Sequence, residues 1–244
     1  MHKTTARSYC TDATWQGRAN CTHCNIRHLM MFSGLPEQAF SEVLRPIDNI
    51  CLPAGSVLFE EGQCNKGVFS IRSGMIKLLS LTTDGTRRIV RLLGRGSTIG
   101  LELLETEPCY RHTAIALTPV DVCHIPLATL LHLDASYPQL CQEIRGRLQE
   151  DLDLADQWIL TLGSGPARKR VAYLLLLMLE YANNSSQAIH LLGREDMAAI
   201  IGTSIETASR VIADLKRRGI LRKTGAHRYQ CDAGALEAIT RETS

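Results

Sequence analysis

The segment that decides the fold of this chain is residues 194–219, which read REDMAAIIGTSIETASRVIADLKRRG. Its first apolar residues suit a short helix that ends at Gly202. Thr203 or Ser204 can cap a second helix, because their hydroxyls accept hydrogen bonds from backbone amides that a helix leaves unpaired. Gly219 lies just past the end of that second helix, where glycine is common. The segment therefore predicts two short helices joined by a tight turn.

A hairpin follows the second helix. Residues 221–231 suit two short strands, with Gly225 in the turn between them. Helix, tight turn, helix and hairpin together make a winged helix-turn-helix, a motif that places its second helix in the major groove of DNA. We therefore predict a DNA-binding domain in this part of the chain.

Basic side chains are concentrated between residues 194 and 228, where eight cations stand against four anions. The formal net charge of the whole chain is only +2. Local clustering, and not bulk charge, therefore indicates a surface for DNA phosphates. The cations are Arg194, Arg210, Lys216, Arg217, Arg218, Arg222, Lys223 and Arg228.

Three polar residues of the second helix are candidates for reading bases. Glu206, Ser209 and Arg210 share one face, because they stand three and four positions apart. Arginine can bond to guanine, glutamate can accept from cytosine, and serine can bond to either class of base edge. Two alternatives are structural: an ion pair between Glu206 and Arg210, and a capping box between Thr203 and Glu206. The full set of candidate DNA-binding residues is Thr203, Ser204, Glu206, Ser209, Arg210, Lys216 and Arg217.

The region from about residue 50 to residue 125 has a different sequence pattern, in which short apolar runs are separated by glycines. Many short strands with regular turn signals indicate a β-sandwich or β-roll. Residues 83–85, Thr-Asp-Gly, predict a hairpin turn. The predicted strands cover residues 56–59, 67–71, 75–79, 88–92 and 120–125.

A long helix is predicted over residues 139–162, with apolar residues at steps of three and four. The apolar stripe is narrow, which favours a coiled-coil contact with a partner helix. A helix packed on its own domain is the alternative. The candidate dimerisation residues are Ile144, Leu148, Leu152, Ala155 and Ile159.

The chain has 244 residues, of which 45% are hydrophobic, so it can bury a real core. Its N-terminus lacks the apolar run of a signal peptide, and the longest apolar run, 171–179, is about half the length of a membrane span. We therefore expect a soluble cytoplasmic protein with no membrane partner. In that compartment the nine cysteines are not expected to form a disulfide framework; they suit buried packing, redox thiols or metal ligands.

The combined order of these features resembles the Crp/Fnr family of dimeric bacterial regulators, over roughly residues 20–235. The resemblance rests on the glycine-punctuated strands with Ile71-Arg-Ser-Gly74, on the long helix after Pro138, and on the stretch from Gly202 to Arg210. It implies an α+β fold with a cyclic-nucleotide-binding-type β-roll, a dimerisation helix and a winged helix-turn-helix. The implied divisions are a cysteine-containing arm at 1–34, the roll at 35–137, the helix at 138–163 and the DNA-binding domain at 164–244.

The pattern Glu206-x-x-Ser209-Arg210 resembles the Fnr-like branch of that family. It implies a palindromic double-stranded DNA target resembling TTGAT-N4-ATCAA, which a homodimer would read as two half-sites one DNA turn apart. The expected role is transcription activation with RNA polymerase as a further partner, and repression is the alternative.

The same resemblance implies an oxygen-labile iron–sulfur cluster of the 4Fe–4S type. Cys21-Thr-His-Cys24 matches the CxxC of Fnr proteins, and Cys123 falls where their distant ligand stands. The third N-terminal cysteine of those proteins is missing here, and Cys10 is the best substitute for it. Thiolates are the usual ligands of such clusters. The alternative is that these cysteines only pack.

Other effectors stay open. In a cyclic-nucleotide pocket Gly100 and Arg111 would be suitably placed, but Leu101 and His112 stand where the family has its ribose-binding glutamate and its phosphate-binding serine. Glu102 is one position off. Haem with nitric oxide, or direct thiol oxidation, are further alternatives. A protein that binds a ligand but not DNA is the alternative outside the class of regulators. An enzyme is not expected, because the sequence has neither a Gly-x-Ser-x-Gly nor a His-Glu-x-x-His motif.

Overall fold

The computed structural model describes residues 13–21, 23–24, 26–36, 47–64, 67–81, 87–105, 108–182 and 187–242. Two predictions, the ligand role of Cys10 and the turn at 83–85, lie outside these ranges. Residues 37–44, for which the sequence before Pro46 predicts a short helix, lie outside them as well.

The N-terminal half is a roll of two antiparallel sheets. The first sheet has the strand order β1-β2-β9-β4-β7 and the second has the order β3-β8-β5-β6. The predicted α+β fold with a β-roll is confirmed. The strands are β1 (Thr14–Arg18), β2 (Asp48–Leu52), β3 (Val57–Phe59), β4 (Val68–Ser73), β5 (Ile76–Leu81), β6 (Arg87–Leu93), β7 (Thr98–Ile99), β8 (Thr113–Ala116) and β9 (Val120–Ile125).

Alternating burial makes the roll. In β2 the side chains of Asp48, Ile50 and Leu52 are buried while those between them are half-exposed, as expected for a strand with one face on a core. Gly74 closes the turn between β4 and β5 at φ +85°, and a Cβ there would lie 2.3 Å from the carbonyl oxygen of Pro119. This position therefore requires glycine.

Helices connect the roll to the C-terminal domain. Short 3-10 helices lie at Arg27–Leu29 and Leu101–Leu104. The predicted long helix is present as α2 (Pro138–Leu162). Among the described residues, no helix is both long enough and apolar enough to span a membrane. The α-helices are α1 (Leu127–Ser136), α2 (Pro138–Leu162), α3 (Ala167–Ala182), α4 (Arg194–Ile201), α5 (Ile205–Arg217) and α6 (Ala233–Arg241).

The C-terminal domain packs directly on the roll. Its core includes Met75 and Leu92 from the roll together with the apolar face of α3. The Lys77 ammonium on β5 contacts the Asp196 carboxylate on α4, and the Tyr181 hydroxyl donates to the Leu92 carbonyl at 3.2 Å. A small sheet of β10 (Ala188–His190), β12 (Arg228–Cys231) and β11 (Leu221–Lys223) forms the wing.

The stripe of α2 divides into a covered part and an uncovered part. Ile144 is 7% exposed and packs into the chain's own core, so its assignment to the dimer contact needs correction: its apolar surface is already buried. Ala155 is half-buried beside the cleft between α2 and α3. Leu148, Leu152 and Ile159 stay 45%, 56% and 70% exposed.

Candidate DNA interface and thiol cleft

The turn between α4 and α5 is made by two adjacent local contacts. Gly202 adopts the left-handed conformation at φ +61°, and the Thr203 amide donates to the Ala198 carbonyl at 3.0 Å. Ser204 is the cap of α5, since its hydroxyl accepts from the Thr207 amide at 3.2 Å. Such a cap is worth about 1 kcal/mol. The capping box between Thr203 and Glu206 is therefore not the arrangement that starts the helix.

Helix α5 buries one face and presents the other. Ala208, Ile212 and Leu215 are buried, as the sequence periodicity requires. Glu206 and Arg210 are exposed on the opposite side, and Ser209 is half-buried at its edge. The three candidate base readers therefore lie along one accessible side of the helix.

The Glu206 carboxylate and the Arg210 guanidinium do not form an ion pair with each other. The ion pairs found among the described residues do not include this pair, and the Arg210 guanidinium instead donates to the Thr207 hydroxyl at 3.1 Å. Hydrogen bonds from its own backbone amide and from the Ser204 hydroxyl, with the charge of Arg210, lower the pKa of the Glu206 carboxyl. Glu206 is therefore a charged acceptor near neutral pH.

Lys216 and Arg217 have different surroundings. The Lys216 ammonium donates to the Tyr229 hydroxyl at 2.8 Å and lies 4.4 Å from the centre of that ring, which fastens α5 to the wing. This hydrogen bond lowers the pKa of Tyr229. Arg217 is exposed and pairs with Asp214 one turn earlier. Lys216 thus has a positioning contact that the sequence did not indicate.

A second positioning residue, Arg170 on α3, was missed by the sequence reasoning. Its guanidinium donates to the carbonyl of Ile201 and, at 3.3 Å, to that of Gly202. These are carbonyls at the end of α4, where a helix leaves acceptors unpaired and favours a cation. The sequence holds no signal for this contact, because 31 positions separate Arg170 from Ile201.

Three of the four predicted metal-ligating cysteines line one cleft. Cys21 and Cys24 come from the arm that precedes the first 3-10 helix, and Cys123 comes from β9. Arg27, Phe32 and other, mostly apolar residues complete the walls. In the described ranges, no three His, Cys, Asp or Glu side chains are arranged closely enough to hold a metal ion as they stand.

Burial dominates the chemistry of these thiols. It raises the pKa of Cys21 to about 11, with a further contribution from the neighbouring Cys24, and it raises the pKa of Cys123 to about 12. Both thiols are therefore protonated near neutral pH. A buried thiol of raised pKa is a poor nucleophile, which weighs against direct oxidation as their role.

A separate pocket of about 320 Å³ lies between the roll and α2. Its volume is in the range of small-molecule sites. Glu102, Glu105 and Asp151 supply carboxylates to its wall, and its two arginines already pair with two of these: Arg111 with Glu105, and Arg91 with Asp151 at 3.1 Å. The pocket is therefore poorly suited to a phosphate.

His112 and Gly100 also line this pocket. Gly100 begins the second 3-10 helix at φ +92°, and burial lowers the pKa of His112, so its imidazole is neutral near neutral pH. A neutral imidazole adds no charge for an anion. Leu101 is buried, whereas a carboxylate oxygen of Glu102 accepts from the Arg111 amide at 3.4 Å.

Comparison with known proteins agrees with this architecture. The family description "cyclic nucleotide-binding domain" matches residues 50–137, and "Crp-like helix-turn-helix domain" matches residues 169–239. The transcriptional activator protein FnrA of Stutzerimonas stutzeri is 27% identical over 233 residues, which cover 92% of this chain and 93% of that protein. The fumarate and nitrate reduction regulatory protein of Salmonella typhimurium is 27% identical over 235 residues, covering 92% and 91%.

A solved structure shares the fold. FixK2 from Bradyrhizobium japonicum superposes with a TM-score of 0.69 at 23% identity, over 81% of this chain and 99% of that one. At this identity the likeness shows the fold alone.

The contact of Arg170 with the turn yields a first prediction. Arg170→Ala removes the donor that fixes the end of α4, so α5 should lose its fixed orientation. We expect DNA affinity to fall by about tenfold and the free energy of unfolding to drop by about 1–3 kcal/mol. Fluorescence anisotropy with labelled duplex and urea unfolding measure the two effects. Lys169→Ala, one position earlier on α3, is the matched control, and equal behaviour of both variants would contradict the assigned role.

Proposed function

The chain belongs to the Crp/Fnr family of transcription regulators, and from that premise we propose that it reads a DNA palindrome as a homodimer and senses oxygen or redox state. The sensing part of the proposal is carried by one observation. Cys21, Cys24 and Cys123 converge on a single cleft beside the segment that packs on α2.

DNA reading is assigned to α5. Glu206, Ser209 and Arg210 are accessible along one side of the helix, with the wing and the basic side chains beside them. The proposed target resembles TTGAT-N4-ATCAA, with Thr203 and Ser204 at the backbone near the helix start and Arg217 on phosphate. Lys216 acts by holding the wing. RNA polymerase is the proposed further partner of the DNA-bound regulator.

Dimerisation is assigned to the uncovered stripe of α2. Burying a leucine side chain is worth about 1.5–3 kcal/mol, and Leu148, Leu152 and Ile159 are largely exposed in one chain. Ala155 lies at the edge of the same stripe. A second copy of α2 packed against these residues removes that surface from water and sets two recognition helices at the spacing of a palindrome.

The donor atoms of the thiol cleft are cysteine sulfurs, which are the atoms that an iron–sulfur cluster binds. Such clusters take cysteine thiolates, commonly four; Cys21, Cys24 and Cys123 supply three, and Cys10, outside the described ranges, is the proposed fourth. When bound, a 4Fe–4S cluster would supply an oxygen-labile centre. Because burial raises the pKa of Cys21 and Cys123, these thiols release protons when they become ligands.

The segment that follows Cys24, residues 29–35, packs against α2 and forms a hydrogen bond with it. Met31, Phe32 and Leu35 share a buried cluster with Ile144 of α2. The Arg147 guanidinium on α2 donates to the Leu29 carbonyl at 2.8 Å. A change at the thiols therefore acts on α2 through direct contacts, and a ligand that favours one arrangement of the arm shifts the population of the dimer.

The competing effector is a small ligand in the pocket between the roll and α2. A cyclic nucleotide is disfavoured there, because both arginines are already paired with carboxylates and the third carboxylate, Glu102, adds negative charge that would repel the phosphate. We therefore place the sensing function at the thiol cleft.

Dimerisation through α2 is tested by a charge in the stripe. Leu152→Asp should raise the dimer dissociation constant roughly 100-fold or more, because two carboxylates would be buried at the contact. Analytical ultracentrifugation measures this. Leu131→Asp on α1, at a site 50% exposed, is the matched control and should leave the dimer intact. A dimer that tolerates both substitutions equally would place the contact elsewhere.

Base reading is tested by Arg210→Ala. Loss of a bidentate contact to guanine should weaken binding to the palindrome by roughly 10- to 100-fold, with little change for unrelated duplex. Arg241→Ala on α6, an exposed arginine of the same domain, should change neither affinity. Unchanged specific affinity in the Arg210 variant would favour a ligand-binding module over a DNA reader.

The cluster is tested by iron and acid-labile sulfide analysis of protein purified without oxygen. About four of each per chain, with a visible spectrum bleached by air, is the expected result. Cys123→Ala should lose the iron and the oxygen response while the far-UV circular dichroism stays unchanged. Cys231→Ala, which alters a buried thiol of the C-terminal domain, should keep both. Colourless, iron-free protein with oxygen-independent DNA binding would overturn the sensing proposal.

A further inference from the structure

Two cysteines outside the thiol cleft are joined to each other. Cys64, after β3, and Cys109, before β8, form a disulfide across an isolated antiparallel bridge, with their Cα atoms 4.0 Å apart. The six other cysteines of the described ranges are free. The sequence predicts no disulfide framework, so this pair departs from expectation.

The pair is accessible to solution. Cys64 is exposed and Cys109 is half-buried, in contrast to the buried Cys123 and Cys231. A protein that acts on chromosomal DNA works among thiol reductants, where disulfides are usually transient and redox-sensing. Exposed disulfides are also the ones that exchange readily with small thiols.

Contacts other than the bond also hold the roll together around the pair. The Gly62 amide donates to the Tyr110 carbonyl at 2.8 Å, and the Tyr110 amide donates to the Gln63 carbonyl at 2.9 Å. The Tyr110 ring is buried and stacks on Phe59 with 3.7 Å between ring centres. The Gly62 carbonyl lies 3.3 Å from the Cys64 sulfur, where it can accept from a reduced thiol. Both redox states are therefore compatible with the folded roll.

The bond also lies close to the pocket that contacts α2. Cys109 is two residues from Arg111, whose guanidinium pairs with Glu105 on the pocket wall. The opposite wall includes Leu148 and Asp151 of α2. A constraint at Cys109 therefore acts on a segment that faces the dimerisation helix.

We propose that Cys64 and Cys109 are a reversible redox-modification site, oxidised by peroxides and reduced by dithiols, whose state alters DNA affinity through the pocket wall and α2. The inference rests on the proposed DNA reading and is independent of the thiol cleft. It gives the regulator a second, metal-free input.

The chemistry balances with one peroxide per bond formed. The Cys64 thiol, the more accessible of the two, attacks hydrogen peroxide to give a sulfenic acid and one water. The Cys109 thiol then displaces the hydroxyl of that sulfenic acid, so that the sulfur–sulfur bond forms and a second water leaves. A dithiol returns the two electrons and two protons and is itself oxidised to a disulfide.

The first test maps the bond in full-length protein. Protein purified without oxygen is reduced with dithiothreitol, desalted, and treated with hydrogen peroxide or with buffer. Free thiols are then alkylated and the peptides identified by mass spectrometry. We expect a Cys64–Cys109 linked peptide only after peroxide, and its loss after renewed reduction. Alkylation of both residues after peroxide would overturn the proposal, and this readout does not depend on DNA binding.

The second test compares three proteins: wild type, Cys64→Ser and Cys51→Ser, the last altering a free half-buried thiol of the same roll. Damage by peroxide at the thiol cleft is common to all three, so only the difference between them reports on the pair. Peroxide should change the affinity of wild type and Cys51→Ser for the palindrome by about fivefold or more relative to Cys64→Ser. The same affinity change in all three would contradict the proposed coupling.

Thermal unfolding supplies a readout that needs no DNA. The bond closes a loop between positions 45 residues apart, so oxidation should raise the Tm of wild type by about 5 to 10 °C. Cys64→Ser should show no such rise. The protein could fail to bind the palindrome in every redox form and still show the linked peptide and the Tm shift. That result would contradict the proposed DNA reading and the coupling, but it would support the modification site.

Discussion

Helix α2 presents more apolar surface than one chain can bury, and the rest of the structure depends on how that surface is covered. The arm and the roll cover its beginning at Leu140 and Ile144, and the C-terminal domain covers its end at Leu162. Between them Leu148 and Leu152 stay in water. Since a buried leucine stabilises a contact by about 1.5–3 kcal/mol, this gap favours a second copy of the helix. The proposed thiol sensor, the C-terminal domain and the proposed partner helix would thus all contact this one element.

A few side-chain contacts also position α5. Ser204 fixes where α5 begins, Arg170 holds the turn before it, and Lys216 ties its last turn to the wing through Tyr229. None of these contacts reads a base. They matter because the bidentate base contact proposed for Arg210 requires its side chain at a defined angle to the groove. Under the proposed function, specificity would therefore depend on positioning residues that lie behind the reading face.

The cysteines fall into two chemical classes. Burial keeps Cys21 and Cys123 protonated, so they suit the role of ligands that are deprotonated only when a metal binds. Cys64 is exposed, Cys109 is half-buried and the two are bonded to each other, so they suit exchange with small oxidants and thiols. Both sites border α2, the first through the arm and the second through the pocket wall. The two proposed inputs, of different chemistry, would therefore act on the same helix.

The sequence by itself determined elements that depend on local periodicity: five of the nine described strands of the roll (β3, β4, β5, β6 and β9), the span of α2, the turn at Gly202 and the shared face of Glu206 and Arg210. These follow from contacts a few residues apart, where spacing dictates which side chains share a face. Only the tertiary structure decided which stripe residues are already covered, such as Ile144.

The tertiary structure also decided that Arg170 reaches the turn, and that Cys64 meets Cys109. These contacts join positions about 30 to 45 residues apart. No local pattern encodes such a pair, because the two residues meet only after the sheets have closed and the helices have packed on them.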